Sequence, residues 1–280
     1  MMPVKKDATG RRYVEAQAEV PGTPEEVWQA IALGPGLSSW FVPSKVEERV
    51  GGTAVLDFGP GMESTATVTV WEPPRRLALE NADDLGPGSP TVATEWTIET
   101  RAGGTCIVRV IHSWFATSDD WDDQYEGVET GWPCFFRILR IYLAHHRGEP
   151  SASFQMMAMT PAAVSSAWSA LLDALGIQDP SVSTQVRTAA GAPPLVGRVE
   201  HVGRGEEREL LLRLHEPAAG VSHAFAMEMG GQTCVFLRIY LYGDAAAAVA
   251  AREAPRWQAW MSEWSSSHGD RHVQGDTVSL

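Results

Sequence analysis

One histidine stands out among the side chains that could do chemistry. His112 lies on a stretch whose alternate positions, Cys106, Val108, Val110 and Trp114, are otherwise apolar, while Arg109 and Ser113 fall between them. A strand turns successive side chains to opposite sides, so this spacing predicts His112 on the buried face. An imidazole there has two readings. It orients a ligand or transfers a proton, or it is a core histidine bonded to backbone or water. Glu63 and Glu95 are further polar groups that could orient a ligand.

The other titratable groups point to less. The run Asp119, Asp120, Asp122, Asp123, Glu126 and Glu129 raises a cation site. It lacks the glycine-containing loop of a calcium site, and carboxylates suit the first turns of a helix, so no metal is expected. Cys106, Cys134 and Cys234 are odd in number and far apart, which fits neither a zinc site nor a disulfide framework. Cys106 and Cys134 sit on apolar stretches and read as small buried residues. His145 and His146 close a helical stretch, where the dipole favours cations. No nucleophile elbow, phosphate loop, dinucleotide fingerprint or zinc-protease helix occurs. No cofactor is therefore expected, and the reading leans away from an enzyme.

The elements that must position His112 occur twice. Gly103-Gly104 opens a β-branched strand, and a helix follows whose seam is Trp132, Phe135, Phe136, Leu139, Tyr142 and Leu143. Gly230-Gly231 opens a second such strand, followed by a helix with Trp257, Trp260, Met261 and Trp264. Spacing by three and four lines up one helix face, which must be buried, and the preceding strand suggests a sheet as its partner. Pro133 and Pro255 mark either a helix start or a kink. Aligning Arg109 with Arg238 places Leu241 where the first copy has His112.

The rest of the chain fills in the same order twice. Arg12 to Val20 alternates as a half-buried strand. Thr23-Pro24-Glu25-Glu26 is a helix start with a capping box. Gly34-Pro35-Gly36 breaks that helix, and Leu37 to Phe41 fits a second short one. Six strands follow, over 46–50, 53–58, 63–71, 75–80, 91–100 and 105–115, joined by tight turns as an antiparallel meander. In the second copy, Ser153 to Met159 is a strand and Thr160-Pro161 echoes Thr23-Pro24. The helix ends at Gly176, and strands cover 195–202, 207–215, 221–229 and 233–242. The second copy lacks a hairpin and the second short helix.

A length of 280 residues suits two domains. Their expected bounds are 1–148 and 149–266, with a disordered polar tail at 267–280. Eleven Trp against five Tyr call for large apolar walls. A net charge of −13 argues against nucleic acid and anionic membrane surfaces. No stretch is long enough to span a membrane and no signal-peptide h-region is visible, so a cytoplasmic protein without membrane insertion is expected.

Several of these residues resemble the START/Bet v 1-like helix-grip superfamily, in particular the branch related to the Hsp90 ATPase activator. They are Thr23-Pro24-Glu25-Glu26-Val27-Trp28, Trp40-Phe41, Gly51-Gly52, Trp71-Glu72-Pro73-Pro74-Arg75-Arg76-Leu77, His112-Ser113 and Gly131-Trp132. The resemblance covers Arg12 to His146; the second half matches only in element order. It implies an α+β fold of two tandem helix-grip units, each a curved antiparallel sheet packed on a long C-terminal helix. It also implies a cavity between sheet and helix. The expected function is binding of a small hydrophobic molecule or lipid in the first domain. Its candidate walls are Trp40, Phe41, Phe58, Met62, Trp71, Trp96, His112, Trp114, Tyr125, Trp132 and Phe136. The alternatives are a chaperone-associated protein, with a chaperone as partner, and a polyketide cyclase/aromatase-like enzyme using His112.

Overall fold

The computed structural model describes residues 4–8, 10–59, 63–82, 90–114 and 122–269. For 122–130 and 268–269 it describes the backbone alone. The chain divides into two compact units, Met1–Glu149 and Pro150–Leu280.

In the first unit the order is β1 (Lys5–Lys6), β2 (Arg12–Pro21), α1 (Pro24–Ala32), α2 (Gly34–Ser38), β3 (Ser44–Val46), β4 (Thr53–Asp57), β5 (Glu63–Glu72), β6 (Arg76–Asn81), β7 (Val92–Arg101), β8 (Thr105–Trp114) and α3 (Asp122–His145). The strands form one antiparallel sheet, β1-β2-β8-β7-β6-β5-β4-β3. Strands β3 to β8 are the expected meander, and β2 returns to pair with its last strand. The long α3 packs on the sheet over β2. Its seam residues Trp132, Phe136, Leu139, Tyr142 and Leu143 are all buried, as the spacing requires.

The helices are pinned by specific groups. Thr23 Oγ1 accepts from Glu26 N at 3.3 Å, and Glu26 Oε2 accepts from Thr23 N at 2.8 Å, so two orphan donors of the first turn are satisfied. Arg147 Nη1 reaches the same Glu26 carboxylate at 2.7 Å and ties the end of α3 to the start of α1. Trp40 is fully buried and donates from Nε1 to Ala30 O at 2.9 Å.

In the second unit the order is β9 (Ser151–Thr160), α4 (Val164–Leu175), β10 (Gln185–Arg187), β11 (Val196–Val202), β12 (Arg208–Glu216), β13 (Gly220–Met229), β14 (Gln232–Tyr242) and α5 (Ala246–Gly269). Its sheet is β10-β11-β12-β13-β14-β9. Gly230 and Gly231 have φ of 60° and 77°, which makes the two-residue turn between β13 and β14 possible. Trp257, Met261 and Trp264 of α5 share a buried cluster with Val235, Leu237, Ile239 and Leu241 of β14 and Leu171 of α4. Both units are thus antiparallel sheets gripping a terminal helix, the second with fewer strands and one helix less. Among the described residues, no helix is long and apolar enough to cross a membrane.

Four local expectations need correction. The first helix does stop here, at Ala32 with Leu33 extended, but Gly34-Pro35-Gly36 already forms the start of α2, which runs over Gly34–Ser38 rather than from Leu37 to Phe41. A Cβ at Gly36 would lie 1.9 Å from Gln29 O, so this glycine permits close packing of α2 on α1. Residues 47–50 turn rather than extend: Glu47 Oε2 accepts from Thr53 N at 3.0 Å, and Gly52 N donates to Arg49 O. Thr160 is the last residue of β9, not a helix cap; Ala163 is the N-cap of α4. Residues 267–269 continue α5, and 270–280 lie outside the described residues. Pro133 and Pro255 both lie inside their helices, each of 24 residues.

Candidate functional site

His112 faces α3. On β8, Cys106, Val108, Val110 and Trp114 are buried to 1% exposure or less, and His112 shares their face. The register sets Thr94 of β7 and Val14 of β2 beside it. Thr94 Oγ1 lies 2.9 Å from Nδ1, and Trp132 of α3 donates its indole N–H to Nε2 at 3.0 Å. An indole nitrogen only donates. Nε2 must therefore carry the lone pair, which leaves the proton of the neutral ring on Nδ1, donating to Thr94 Oγ1. A second proton would set N–H against N–H.

The electrostatics agree with that geometry. Desolvation lowers the His112 pKa from 6.5 to about 4, because a charged imidazole loses its hydration among apolar walls. His112 nevertheless keeps accessible surface and is only half-buried, while Val110, one pleat away, is completely buried. The two observations differ in scale: many protein atoms surround the ring, yet described side chains do not close over all of it.

An aromatic cluster surrounds this polar trio. Phe41 stacks on Trp132 with centroids 5.2 Å apart and meets Phe58 and Phe135 edge-on at 5.7 and 4.6 Å. Trp96 meets Trp40, Trp132 and Phe136 edge-on at 6.2, 5.1 and 6.3 Å. Such offset and edge geometries suit ring quadrupoles. Residues from the segment after α2, from β7 and β8, and from α3 converge here.

The structure therefore joins Trp40, Phe41, Phe58, Trp96, His112, Trp132 and Phe136. Trp71 is set apart: it shares its register row with Leu77 and Trp96 but packs edge-on against Trp28 of α1 at 5.0 Å. Trp114 lies one pleat beyond His112, in a group with Val14 and Val92. Met62 lies outside the described residues, as do the side chains of Tyr125 and of the acidic run from Asp119 to Glu129. Glu95 and Glu63 are corrections. Glu95 alternates with the buried Trp96, so it is on the outer face, where it binds Arg76 Nε at 2.9 Å. Glu63 is exposed. Two members were missed by sequence reasoning. Phe135 was placed in the seam but not in the site, and Thr94 carries no signal until the β7–β8 register sets it opposite His112.

The second unit treats the matching position differently. Leu241 pairs with Ala152 and Gly220, as His112 pairs with Val14 and Thr94. Leu241 is completely buried in the apolar cluster. A Cβ at Gly220 would lie 2.3 Å from Tyr240 O, so a threonine does not fit there. The polar trio belongs to the first unit alone.

No curated protein matches the chain. Among solved structures, DynU16, a putative protein in the dynemicin biosynthetic locus, is 18% identical with a TM-score of 0.42, covering 91% of this chain and 98% of its own. The di-domain ARO/CYC BexL from the BE-7585A biosynthetic pathway is 16% identical with a TM-score of 0.43, covering 94% and 100%. Protein MLL2253 from Mesorhizobium loti is 24% identical with a TM-score of 0.43, covering 48% and 97%. The family model described as Activator of Hsp90 ATPase homolog 1-like protein matches residues 21–144, the stretch that runs from the end of β2 through the His112 trio to the last turn of α3.

Proposed function

We propose that the first unit binds a small apolar molecule between its sheet and α3, with the Thr94–His112–Trp132 trio as its polar reference point. The observation that carries this reading is the residual accessibility of His112 on the helix-facing side of the sheet. Apolar side chains bury the same face above and below it. A polar group on an apolar wall costs free energy unless it is paired, and two hydrogen bonds pair it here. Sites for small molecules combine apolar walls with a few fixed polar groups. The aromatic cluster and the trio have that composition.

The same geometry argues against proton transfer by His112. Its one lone pair accepts from Trp132, and a group with a pKa near 4 is a weak base at neutral pH. The trio is suited to orienting a ligand through the Thr94 hydroxyl and the ring edge. A chaperone-associated role is the second reading, and the family match over residues 21–144 favours it. That role uses the surface and leaves the aromatic cluster unperturbed.

An uncharged apolar fluorescent probe, N-phenyl-1-naphthylamine, separates the two. Saturable binding that His112→Leu alters by about tenfold, without loss of folded structure, is the expected result. Absence of saturable binding, or an affinity indifferent to His112→Leu and Trp132→Phe, overturns the reading.

A further inference from the structure

The second unit carries a group of side chains that its core does not use. His201 on β11, Leu211 on β12 and His223 on β13 occupy one register row. Glu209 is two residues before Leu211, so alternation sets His201, Glu209 and His223 on one face of the sheet, and Glu207, in the turn just before β12, brings its carboxylate beside them. This is the face opposite the one packed on α5, whose β12 residues are Leu210, Leu212 and Leu214. The donor atoms of His201, Glu207 and Glu209 all lie within 4.8 Å of one another. His201 Nε2 is 4.0 Å from Glu207 Oε2, and His223 Nε2 is 3.9 Å from Glu209 Oε1.

The geometry points to a divalent transition-metal site of the zinc class, formed by His201, Glu207 and Glu209, with His223 as the neighbouring fourth donor. Mixed imidazole and carboxylate donors suit that class. Tetrahedral donors about 2.0–2.2 Å from the ion stand roughly 3.4 Å apart, so closure needs a movement of about 1 Å. Glu207 is the donor free to make it, with 44% of its side chain exposed against 9% for Glu209 and 5% for His223. The exposed edge at Glu207 is also the entry path.

The backbone holds the donors in place. Gly203 N donates to Glu209 O at 2.8 Å, and Glu207 N donates to Arg204 O at 3.1 Å. A Cβ at Gly203 would lie 2.3 Å from Glu207 O, so the β11–β12 turn admits little rearrangement. A bound ion would staple this hairpin to β13, linking three strands by their side chains. In linear order the four residues span 201 to 223 without a compact ligand motif, which is why spacing alone did not suggest them.

The test uses the full-length protein, stripped with EDTA, returned to chelator-free buffer and titrated with zinc chloride by calorimetry. Native mass spectrometry gives the stoichiometry. One ion per chain is expected. Glu207→Gln, at an exposed position where misfolding is least at issue, should weaken binding at least tenfold, and His201→Asn should abolish it. His145→Asn and His272→Asn should leave the affinity unchanged. Cobalt in place of zinc should give visible absorption bands that disappear in the His201 variant. Absence of saturable one-to-one binding overturns the proposal. So does binding that survives both Glu207→Gln and His201→Asn, which would leave the four residues as two histidine–glutamate contacts without a metal.

Discussion

Acidification from pH 7.5 to 4.5 should cost the wild-type protein a component of stability that a His112→Gln variant never had. The folded pKa of His112 is about 4, against about 6.5 for an unfolded histidine. The unfolded chain therefore takes up the proton first as the pH falls. The contribution is fully present above pH 6.5, declines through the window from 6.5 to 4, and is gone below it. Each unit of that window is worth about 1.4 kcal/mol. Two units, from 6.5 to 4.5, set a ceiling of about 2.7 kcal/mol, and allowing for the surface that His112 still exposes the loss by pH 4.5 is about 1–2 kcal/mol. Glutamine can accept from the Trp132 indole and donate to Thr94 without titrating, so it preserves the bonds and removes the charge. Urea denaturation followed by tryptophan fluorescence, at half-unit pH steps, gives the two stability profiles. Carboxylates elsewhere titrate alike in both proteins and cancel in the difference. Parallel profiles would refute the reasoning, because they would mean that His112 protonates as easily folded as unfolded.

Two packing predictions accompany it. Phe136→Ala removes a side chain that is 4% exposed and meets Trp96 and Trp132, and should cost about 3–5 kcal/mol; denaturant midpoints measure it. Gly36→Ala should destabilise the first unit by at least about 2 kcal/mol, since its Cβ would overlap Gln29 O and a backbone atom cannot rotate away; a thermal melt equal to wild type would contradict the α1–α2 packing.

The meander, the gripping helices and the inward face of β8 were legible because each rests on a periodic pattern. His112 was identified by alternation alone, and Leu241 by the second copy of the same strand. The failures share a physical cause. Gly34 and Gly36 read as helix breakers from their propensity, yet they are present because neighbouring backbone leaves no room for a Cβ. Thr160-Pro161 copies a capping dipeptide, but Thr160 stays in β9, paired with Thr233. Trp71 was drawn into the site by its type; the helix above it, α1, decides its partner. Thr94 and the β11–β13 donors have no local signature, since only strand register brings them to their partners.

The central claim, an apolar ligand between the first sheet and α3, is tested most directly by indole N–H resonances. A heteronuclear correlation spectrum of the protein with 15N-labelled tryptophan, recorded with and without an apolar probe, reads all eleven side chains at once. Single Trp→Phe variants assign the signals. The account predicts that Trp132 and Trp96 shift on titration, with Trp132 moving most because its proton is held by His112, while Trp257 and Trp264 in the core of the second unit stay fixed. Shifts confined to Trp257 and Trp264, or none at any indole at probe saturation, would contradict it.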